Sequence, residues 1–473
     1  MSDTIRGDHR KSWKYHDVDK GYAWIVLIGC FVLYTFVVGS VKSYGVIYTE
    51  VVEYYSTESG ETAWIGSISV ILLFGLGPVA NLLCKIYTFR RITFIGGILF
   101  GLGYFLSGFV TRMEYMYLTF ISTGIGYGLT FTPCTTIISY YFDKRRSLAN
   151  GITVSGSGVG AIVLPFLYKY LIGQYGLKGT FWIIGATFSN VCVAACILRQ
   201  PTYLAEEQKE QITAENNTSD DYNVGDGNAV PKFNKGHCRA LDLRFSLFKN
   251  PLFVTYVLSF MCCVFSYTAS FILIPASVKT LGYDKTYVAL SVTVFGGVEA
   301  VGRILIGWFA DLNLIKRKYI YAVSMFIGGA FSLIAPLFEN FAFIALYAAV
   351  AATFPGSFFS LIAVLIIDVV GLENFSPAFG LLSLCLTIGI LPSQPAVGWL
   401  FDLYGNWHAS FILTGCVYVL AGVIILLEPV VVRCSKRTDD KEPENHTQQN
   451  DRDRRKDGSC RDELGSLDTS FTS

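Results

Sequence analysis

The sequence predicts an all-α membrane protein with twelve transmembrane helices arranged as two pseudo-symmetric bundles of six. Three observations lead to this fold class: an excess of apolar residues, twelve apolar runs of membrane-spanning length, and a repeat between the two halves of the chain. Of the 473 residues, 52% are hydrophobic and only 15% are charged. A typical soluble domain is about a quarter charged. The chain therefore has more apolar surface than a water-soluble core could bury.

A helix needs about 20 apolar residues to cross roughly 30 Å of hydrocarbon, and twelve runs meet that requirement. The N-terminal bundle (22–198) holds runs at 22–44, 64–84, 92–111, 115–140, 148–172 and 179–198. The C-terminal bundle (251–431) holds runs at 252–278, 287–310, 319–338, 341–367, 376–400 and 408–431.

Three polar segments flank and separate the two bundles. Residues 1–21 form a basic tail that lacks the apolar core of a signal peptide. Residues 199–250 are predicted to be a flexible linker, and 432–473, with mixed charge and few apolar residues, a disordered tail. Thirty of the 37 lysines and arginines fall in the tails and loops on one side of the predicted membrane. The positive-inside rule therefore predicts that both tails and the linker are cytoplasmic.

The two bundles read as parallel copies of one another. NLLCKIYTFRR, from Asn81 to Arg91, has the spacing of GWFADLNLIKR, from Gly307 to Arg317, so that Lys85 stands where the second copy has Asp311. A binding site near mid-membrane between two such halves is typical of secondary transporters.

Two short segments carry a family resemblance. DKGYAW contains Asp19, Gly21 and Trp24, and YYFDKRRSLANGITVSGSG spans residues 140–158. The first resembles the N-terminal signature of the monocarboxylate transporters and the second resembles their loop 4–5 signature. Lys20 and Ala23 stand where the N-terminal signature has glycines. The GWFAD segment resembles the loop 8–9 motif of the wider major facilitator superfamily.

This resemblance implies the major facilitator fold and proton-coupled symport of small monocarboxylates, of the lactate, pyruvate and ketone-body class, by alternating access. The alternative on the same fold is a proton-independent facilitative carrier of aromatic amino acids or other organic solutes. A channel or a transport-dead receptor is the alternative from a different class. The implied partners are a small organic anion, a proton and the lipid bilayer of the plasma membrane.

The sequence contains no phosphate-binding loop, metal-ligand cluster or nucleophile motif. We therefore predict no enzymatic activity, no cofactor, no metal site and no nucleic-acid partner. For some members of the family an accessory single-span glycoprotein of the basigin kind is implied, and no residue of this sequence decides whether one is needed.

The candidate site consists of three ionisable residues that fall inside predicted spans. Glu299 and Arg303 are four residues apart in the eighth span, hence on one helix face, and Lys42 lies in the first span. Ionisable residues within a membrane are functional candidates by default, since each costs about 2.5–3.5 kcal/mol on insertion scales. Two structural alternatives stay open: the pair only fixes helix packing, or Lys42 extends to the headgroups. The resemblance implies a lysine and an acid–arginine pair at these positions, with Glu299 where well-known members have aspartate.

Arginine offers a carboxylate a planar fork of hydrogen-bond donors, so Arg303 is the predicted anion anchor. An ionised Glu299 competes for that fork, and its protonation releases Arg303, so that one proton moves with one anion. We further hypothesise that protonated Lys42 receives the anion first and passes both charges to the eighth span.

Aromatic residues of the tenth span, Phe354, Phe358 and Phe359, are candidates to line the pocket; the aliphatic stretch 361–368 is the other candidate, and packing is the plain alternative. The predicted cytoplasmic gate consists of loop charges, which in the superfamily pair across loops and with helix ends. These charges are Asp143, Lys144, Arg145, Arg146, Asp311 and Lys316. The neighbouring Arg317 and Lys318 are expected to be solvated.

Overall fold

The computed structural model describes residues 18–55, 59–201, 203–204, 245–338 and 340–439. Within these ranges the chain is helical and contains no β-strand. Most of the predicted N-terminal tail, linker and C-terminal tail lies outside the described residues.

Helices of the first half follow one another with short connections. They are α1 (Tyr22–Tyr55), α2 (Ser59–Gly75), α3 (Gly77–Ile86), α4 (Phe89–Ser107), α5 (Met113–Tyr141), α6 (Arg146–Phe188) and α7 (Asn190–Ile197).

Helices of the second half repeat this plan. They are α8 (Pro251–Thr280), α9 (Lys285–Asp311), α10 (Arg317–Ile334), α11 (Phe341–Thr353), α12 (Phe358–Val370), α13 (Phe375–Ile390), α14 (Ser393–Tyr404), α15 (His408–Leu426) and α16 (Glu428–Asp439). Single 3₁₀ turns cover Phe245–Lys249, Ala335–Leu337 and Pro355–Ser357.

Each of the twelve predicted spans corresponds to a helix or to a broken pair of helices. The breaks occur at residues that disfavour a continuous helix. The chain bends by 46° between α2 and α3, just before Pro78. Gly176, with φ of 66°, kinks α6 between the fifth and sixth spans. The turn Pro355–Ser357 separates α11 from α12.

Nine described helical segments, or ten if the bent pair counts as one, are long and apolar enough to cross a membrane. The difference from twelve has two sources. The segment Arg146–Ile197 contains two predicted spans, and α5 is not among the nine. Six threonines lower the hydropathy of α5, and the residues from Gly126 to Tyr141 are buried within the protein. The chain is a multi-pass all-α membrane protein.

The first helix is longer than the predicted span 22–44. It continues to Tyr55 and has 34 residues. Lys42 consequently lies well inside α1 and not at its end.

Two hydrophobic cores form, one in each half. The first gathers buried side chains between Ala23 and Leu198, and the second gathers those between Phe253 and Ile425. Phe359 is among the few side chains that pack against both cores. It therefore lies at the interface between the halves.

A pair of hydroxyl contacts supports the internal repeat. Ser40 in α1 is 2.8 Å from the hydroxyl of Tyr127 in α5. Ser270 in α8 is 3.2 Å from the hydroxyl of Tyr347 in α11. In each half, a serine of the first membrane-spanning segment is thus hydrogen-bonded to a tyrosine of the fourth.

Glycines along α6 allow two neighbouring helices to approach its backbone. A Cβ atom on Gly160 would lie 2.2 Å from the carbonyl oxygen of Thr35 in α1. One on Gly151 would lie 2.5 Å from the carbonyl oxygen of Arg303 in α9. α6 therefore packs against α1 within its own half and against α9 across the interface.

We predict that Gly160→Ala destabilises the protein, because its methyl group would meet main-chain atoms that cannot rotate away. Overpacking of this kind typically costs about 1–3 kcal/mol. Thermal unfolding in detergent measures the effect. Gly173→Ala is the matched control, since a Cβ there meets nothing within 4 Å, and equal midpoints for the two variants would contradict the close packing of α6 on α1.

Candidate functional site

The three intramembrane charges meet at the interface between the halves. The Lys42 ammonium donates to both carboxylate oxygens of Glu299, at 2.6 and 2.5 Å, across 257 residues of sequence. Arg303 forms an ion pair with the same carboxylate from one turn along α9. The side chains of Lys42, Glu299 and Arg303 are 12%, 0% and 2% exposed, so Lys42 is the member nearest to solvent.

Arg303 uses its whole guanidinium group. The group has five N–H donors, and five acceptors surround it, three on the second half and two on α6 of the first half. They are the Gly356 carbonyl at 3.1 Å, the Tyr267 hydroxyl at 3.2 Å, the Glu299 carboxylate, the Val154 carbonyl at 3.0 Å and the Ser157 hydroxyl at 2.7 Å. Any further anion must therefore replace one of these acceptors.

Sequence reasoning missed two hydroxyl groups of the site, those of Tyr267 and Ser157. Tyr267 donates to Glu299 Oε1 and accepts from Arg303. Ser157 lies in the loop 4–5 signature segment, but nothing in that segment marked its hydroxyl. Neither residue carries a charge or a motif of its own, so only the fold could bring them to the ion pairs.

Aromatic rings enclose the charges on the second-half side. The Arg303 guanidinium lies over the ring of Phe359 at 5.0 Å, and the Lys42 ammonium lies 5.8 Å from the ring of Phe271. Both rings are partly exposed. Such cation–π contacts are typical where a cation has lost part of its water.

The three predicted pocket phenylalanines are not equivalent. Phe359 lies beside Arg303, and Phe354 is partly buried at the break before α12. Phe358 is fully buried and packs against Phe260 and Tyr321 in the second-half core. The aliphatic stretch from residue 361 to 367 is buried in the same core. Phe359 is therefore the member of this group that adjoins the charges.

The ion-pair cluster carries two cations and one carboxylate, a formal charge of +1. Burying charges in this way is costly, and apolar side chains of similar volume would often be as stable. Lys42 points to Glu299, so the alternative in which it extends to the headgroups is wrong for this conformation. The arrangement keeps one positive charge at the interface, which suits a monovalent anion.

Asp311 joins the halves at the predicted cytoplasmic end. Its carboxylate accepts from the backbone N–H groups of Ser147, at 3.1 Å, and Leu148, at 2.7 Å. These are free N–H groups of the first turn of α6, where a negative charge is favourable. Asn81 also crosses the interface and donates to the Ser376 carbonyl at 2.6 Å. The two halves are thus hydrogen-bonded to each other on this side.

The two signature segments form one structural unit. The Asp19 carboxylate accepts from three successive backbone N–H groups of loop 4–5, those of Asp143, Lys144 and Arg145, at 3.0 to 3.4 Å. Asp19 itself has φ of 60°. Trp24 packs edge-on against the ring of Phe142, at a centroid distance of 5.3 Å. The N-terminal signature therefore fixes the loop that leads into α6.

The remaining charges of the predicted gate act mostly within their own half. Arg146 is 3.2 Å from Asp143, and its Nε donates to the Phe142 carbonyl at 2.8 Å. The side chains of Lys144, Arg145 and Lys316 are exposed. Among the charged residues of the predicted gate, Asp311 contacts the other half directly, through the N-terminus of α6.

The expectation that Arg317 and Lys318 are solvated is wrong. Arg317 forms ion pairs with Asp368 at 3.3 Å and with Asp311 at 3.8 Å. Lys318 is 2.9 Å from Glu428. Their side chains are 19% and 17% exposed, because the ends of α9, α10, α12 and α16 come together here.

Comparison with known proteins agrees with this architecture. The Major Facilitator Superfamily profile matches twice, at residues 30–312 and 256–457. Monocarboxylate transporter 12 of Xenopus laevis is 28% identical, covering 88% of this chain and 91% of its own. Monocarboxylate transporter 2 of Meriones unguiculatus is 29% identical, covering 86% and 84%. Monocarboxylate transporter 4 of Gallus gallus is 28% identical, covering 86% and 83%.

We predict that Asp19→Ala speeds amide hydrogen exchange in residues 143–145, which lose their carboxylate acceptor. A hydrogen bond to a charged group typically contributes about 1.5–3 kcal/mol, so exchange should become roughly 10- to 100-fold faster. Mass spectrometry of the loop 4–5 peptide measures this. Lys20→Ala, which removes a neighbouring exposed side chain, is the control, and unchanged exchange in Asp19→Ala would show that the loop is held by other contacts.

Proposed function

Because this chain belongs to the Major Facilitator Superfamily, and the relatives it matches are monocarboxylate transporters, we propose that it carries a small monocarboxylate together with one proton by alternating access. The proposed activity is transport and not a covalent reaction on the substrate. The observation that supports the proposal most directly is the contact of Lys42 with Glu299 across the interface between the halves, where Glu299 is also paired with Arg303.

The saturation of Arg303 supports coupling between the anion and a proton. A monocarboxylate can reach the guanidinium only if an acceptor leaves, and Glu299 is the acceptor that one proton neutralises. Protonated Glu299 no longer holds two cations, so the substrate carboxylate can take its place on Arg303. Proton and anion then occupy the site together.

The charge of the cluster gives a second argument. The empty site has a formal charge of +1, and adding one proton and one monovalent anion leaves that charge unchanged. Moving a charge across the membrane potential is worth about 2.3 kcal/mol per 100 mV. The site carries the same charge when it is empty and when it is loaded. Reorienting it from one side of the membrane to the other therefore requires the same electrical work in both states.

Lys42 is the proposed first contact for the anion. It is the most exposed member of the cluster, and it comes from the first half, whereas Arg303 comes from the second. An anion held by Lys42 can pass to Arg303 once Glu299 is protonated. This transfer would link substrate binding to the relative position of the two halves.

The contact between α6 and α9 is the proposed link between the site and the cytoplasmic gate. Arg303 donates to Val154 and Ser157 across it, and Asp311, two turns further along α9, accepts from the first turn of α6. Opening toward the cytoplasm must break both sets of bonds. An anion that replaces Glu299 on Arg303 and binds the open state more tightly shifts the protein toward that state.

We predict that a monocarboxylate acidifies cells that express this protein and that Arg303→Gln abolishes the response, because the anion anchor is lost. Intracellular pH is recorded while lactate, pyruvate, a ketone body and an aromatic amino acid are added in turn. Arg112→Gln, which alters an exposed arginine, is the control.

Saturable uptake without a pH change would overturn proton coupling and favour the facilitative carrier of aromatic amino acids or other solutes. Lys42→Gln is tested beside Arg303→Gln. If Lys42→Gln leaves proton coupling intact, the proposed transfer from Lys42 to Arg303 is wrong.

We propose that the carrier lies in the plasma membrane, as the family resemblance implies, with both termini in the cytoplasm. The distribution of lysine and arginine supports this orientation. An epitope at either terminus should bind antibody only after cells are permeabilised, and staining of intact cells would overturn this orientation. Surface biotinylation with and without a co-expressed basigin-like glycoprotein determines whether such a partner is needed to reach the surface.

A further inference from the structure

Tyr267 joins the two ionic residues of α9 through one hydroxyl group. The hydroxyl donates to Glu299 Oε1, and its oxygen accepts from Arg303 Nη2 at 3.2 Å. The residue comes from α8, is 2% exposed and is held by aromatic rings on several sides. These rings are Phe271 at 5.2 Å, Phe359 at 5.5 Å and Phe295 at 5.8 Å.

We propose that Tyr267 is a positioning residue for the exchange of Glu299 for the substrate carboxylate on Arg303. This inference rests on the proposed proton-coupled transport. The hydroxyl contacts both the group that takes the proton and the group that binds the anion. Its packed ring allows the O–H bond to rotate while the oxygen stays in place.

In the empty site the hydroxyl proton stabilises the ionised carboxylate of Glu299. When Glu299 takes up the transported proton, that carboxylate loses its negative charge and the substrate carboxylate arrives beside Arg303. The O–H of Tyr267 then turns to the substrate. Tyr267 keeps its own proton throughout, and the proton that crosses the membrane is the one on Glu299.

The charged and titratable groups around Glu299 limit what a variant can change. Lys42 faces it from α1, Arg303 from its own helix and Tyr267 from α8. The 3₁₀ turn Pro355–Ser357 places Gly356, which has no titratable group, beside the Glu299 side chain. Replacing Tyr267 by Phe removes one neutral donor from the carboxylate and leaves the two cations in place.

Tyr267→Phe should therefore shift the pH at which transport is half-maximal upward by about one unit, because the ionised carboxylate has lost a donor. The KM for the anion should rise about tenfold, because the bound carboxylate loses the same hydrogen bond. Proton-driven uptake of a monocarboxylate is measured against external pH and against substrate concentration. The pH midpoint does not depend on how much protein reaches the membrane.

Tyr347→Phe is the matched control. It removes another buried tyrosine hydroxyl from the second half, one that contacts Ser270 and not the charge cluster. A general loss of packing would affect both variants, whereas a positioning role predicts a shift of the pH midpoint in Tyr267→Phe alone.

The outcomes separate the two proposals. Uptake by the unaltered protein that does not depend on pH would overturn the proposed function itself. Proton-coupled uptake with the same pH midpoint and KM in Tyr267→Phe would overturn only the role of the hydroxyl. Complete loss of transport at every pH, with normal surface abundance, would also overturn a positioning role, since the hydroxyl would then be essential for binding.

Discussion

The buried carboxylate of Glu299, held between a lysine of one half and an arginine of the other, is the interaction on which the rest of the structure depends. A carboxylate in hydrocarbon is stable only with partners, and here the partners belong to opposite bundles. The ion pairs therefore act as a bond between two bodies that each have their own hydrophobic core. A change in the charge of Glu299 alters that bond directly.

Helix α9, which carries this bond, also carries a contact that joins the halves at the predicted cytoplasmic side. It holds Glu299, Arg303 and Asp311 along its length. In the first half, α1 provides the partner of Glu299, and α6 provides the partners of Arg303 and Asp311. Glycines at positions such as 151 bring the two backbones close enough for side chains to reach main-chain groups across the interface. The proposed anion anchor Arg303 and the predicted gate residue Asp311 thus belong to one helix–helix contact and are two turns apart.

The internal repeat places equivalent hydroxyl pairs in both halves, yet the two interface contacts at the predicted gate differ. Asp311 caps the first turn of α6, and the equivalent position of the first half is Lys85. At the corresponding interface Asn81 donates to the Ser376 carbonyl. The Asp311 contact therefore places a charged carboxylate at a helix N-terminus, whereas the Asn81 contact uses a neutral amide. The electrostatic attraction is stronger in the first contact than in the second.

Hydrophobic run length and charge distribution, which are properties of the sequence, determined the all-α membrane class, the two halves and the candidates Lys42, Glu299 and Arg303. These signals are local, because every membrane-spanning segment must be apolar and an ionisable exception stands out. The tertiary structure decided which groups meet. Tyr267 and Ser157 carry no local signal, and only helix packing brings their hydroxyls to Arg303. The breaks within spans and the ion pairs of Arg317 likewise depend on which helix ends come together, since a loop charge is solvated or paired according to its neighbours in space.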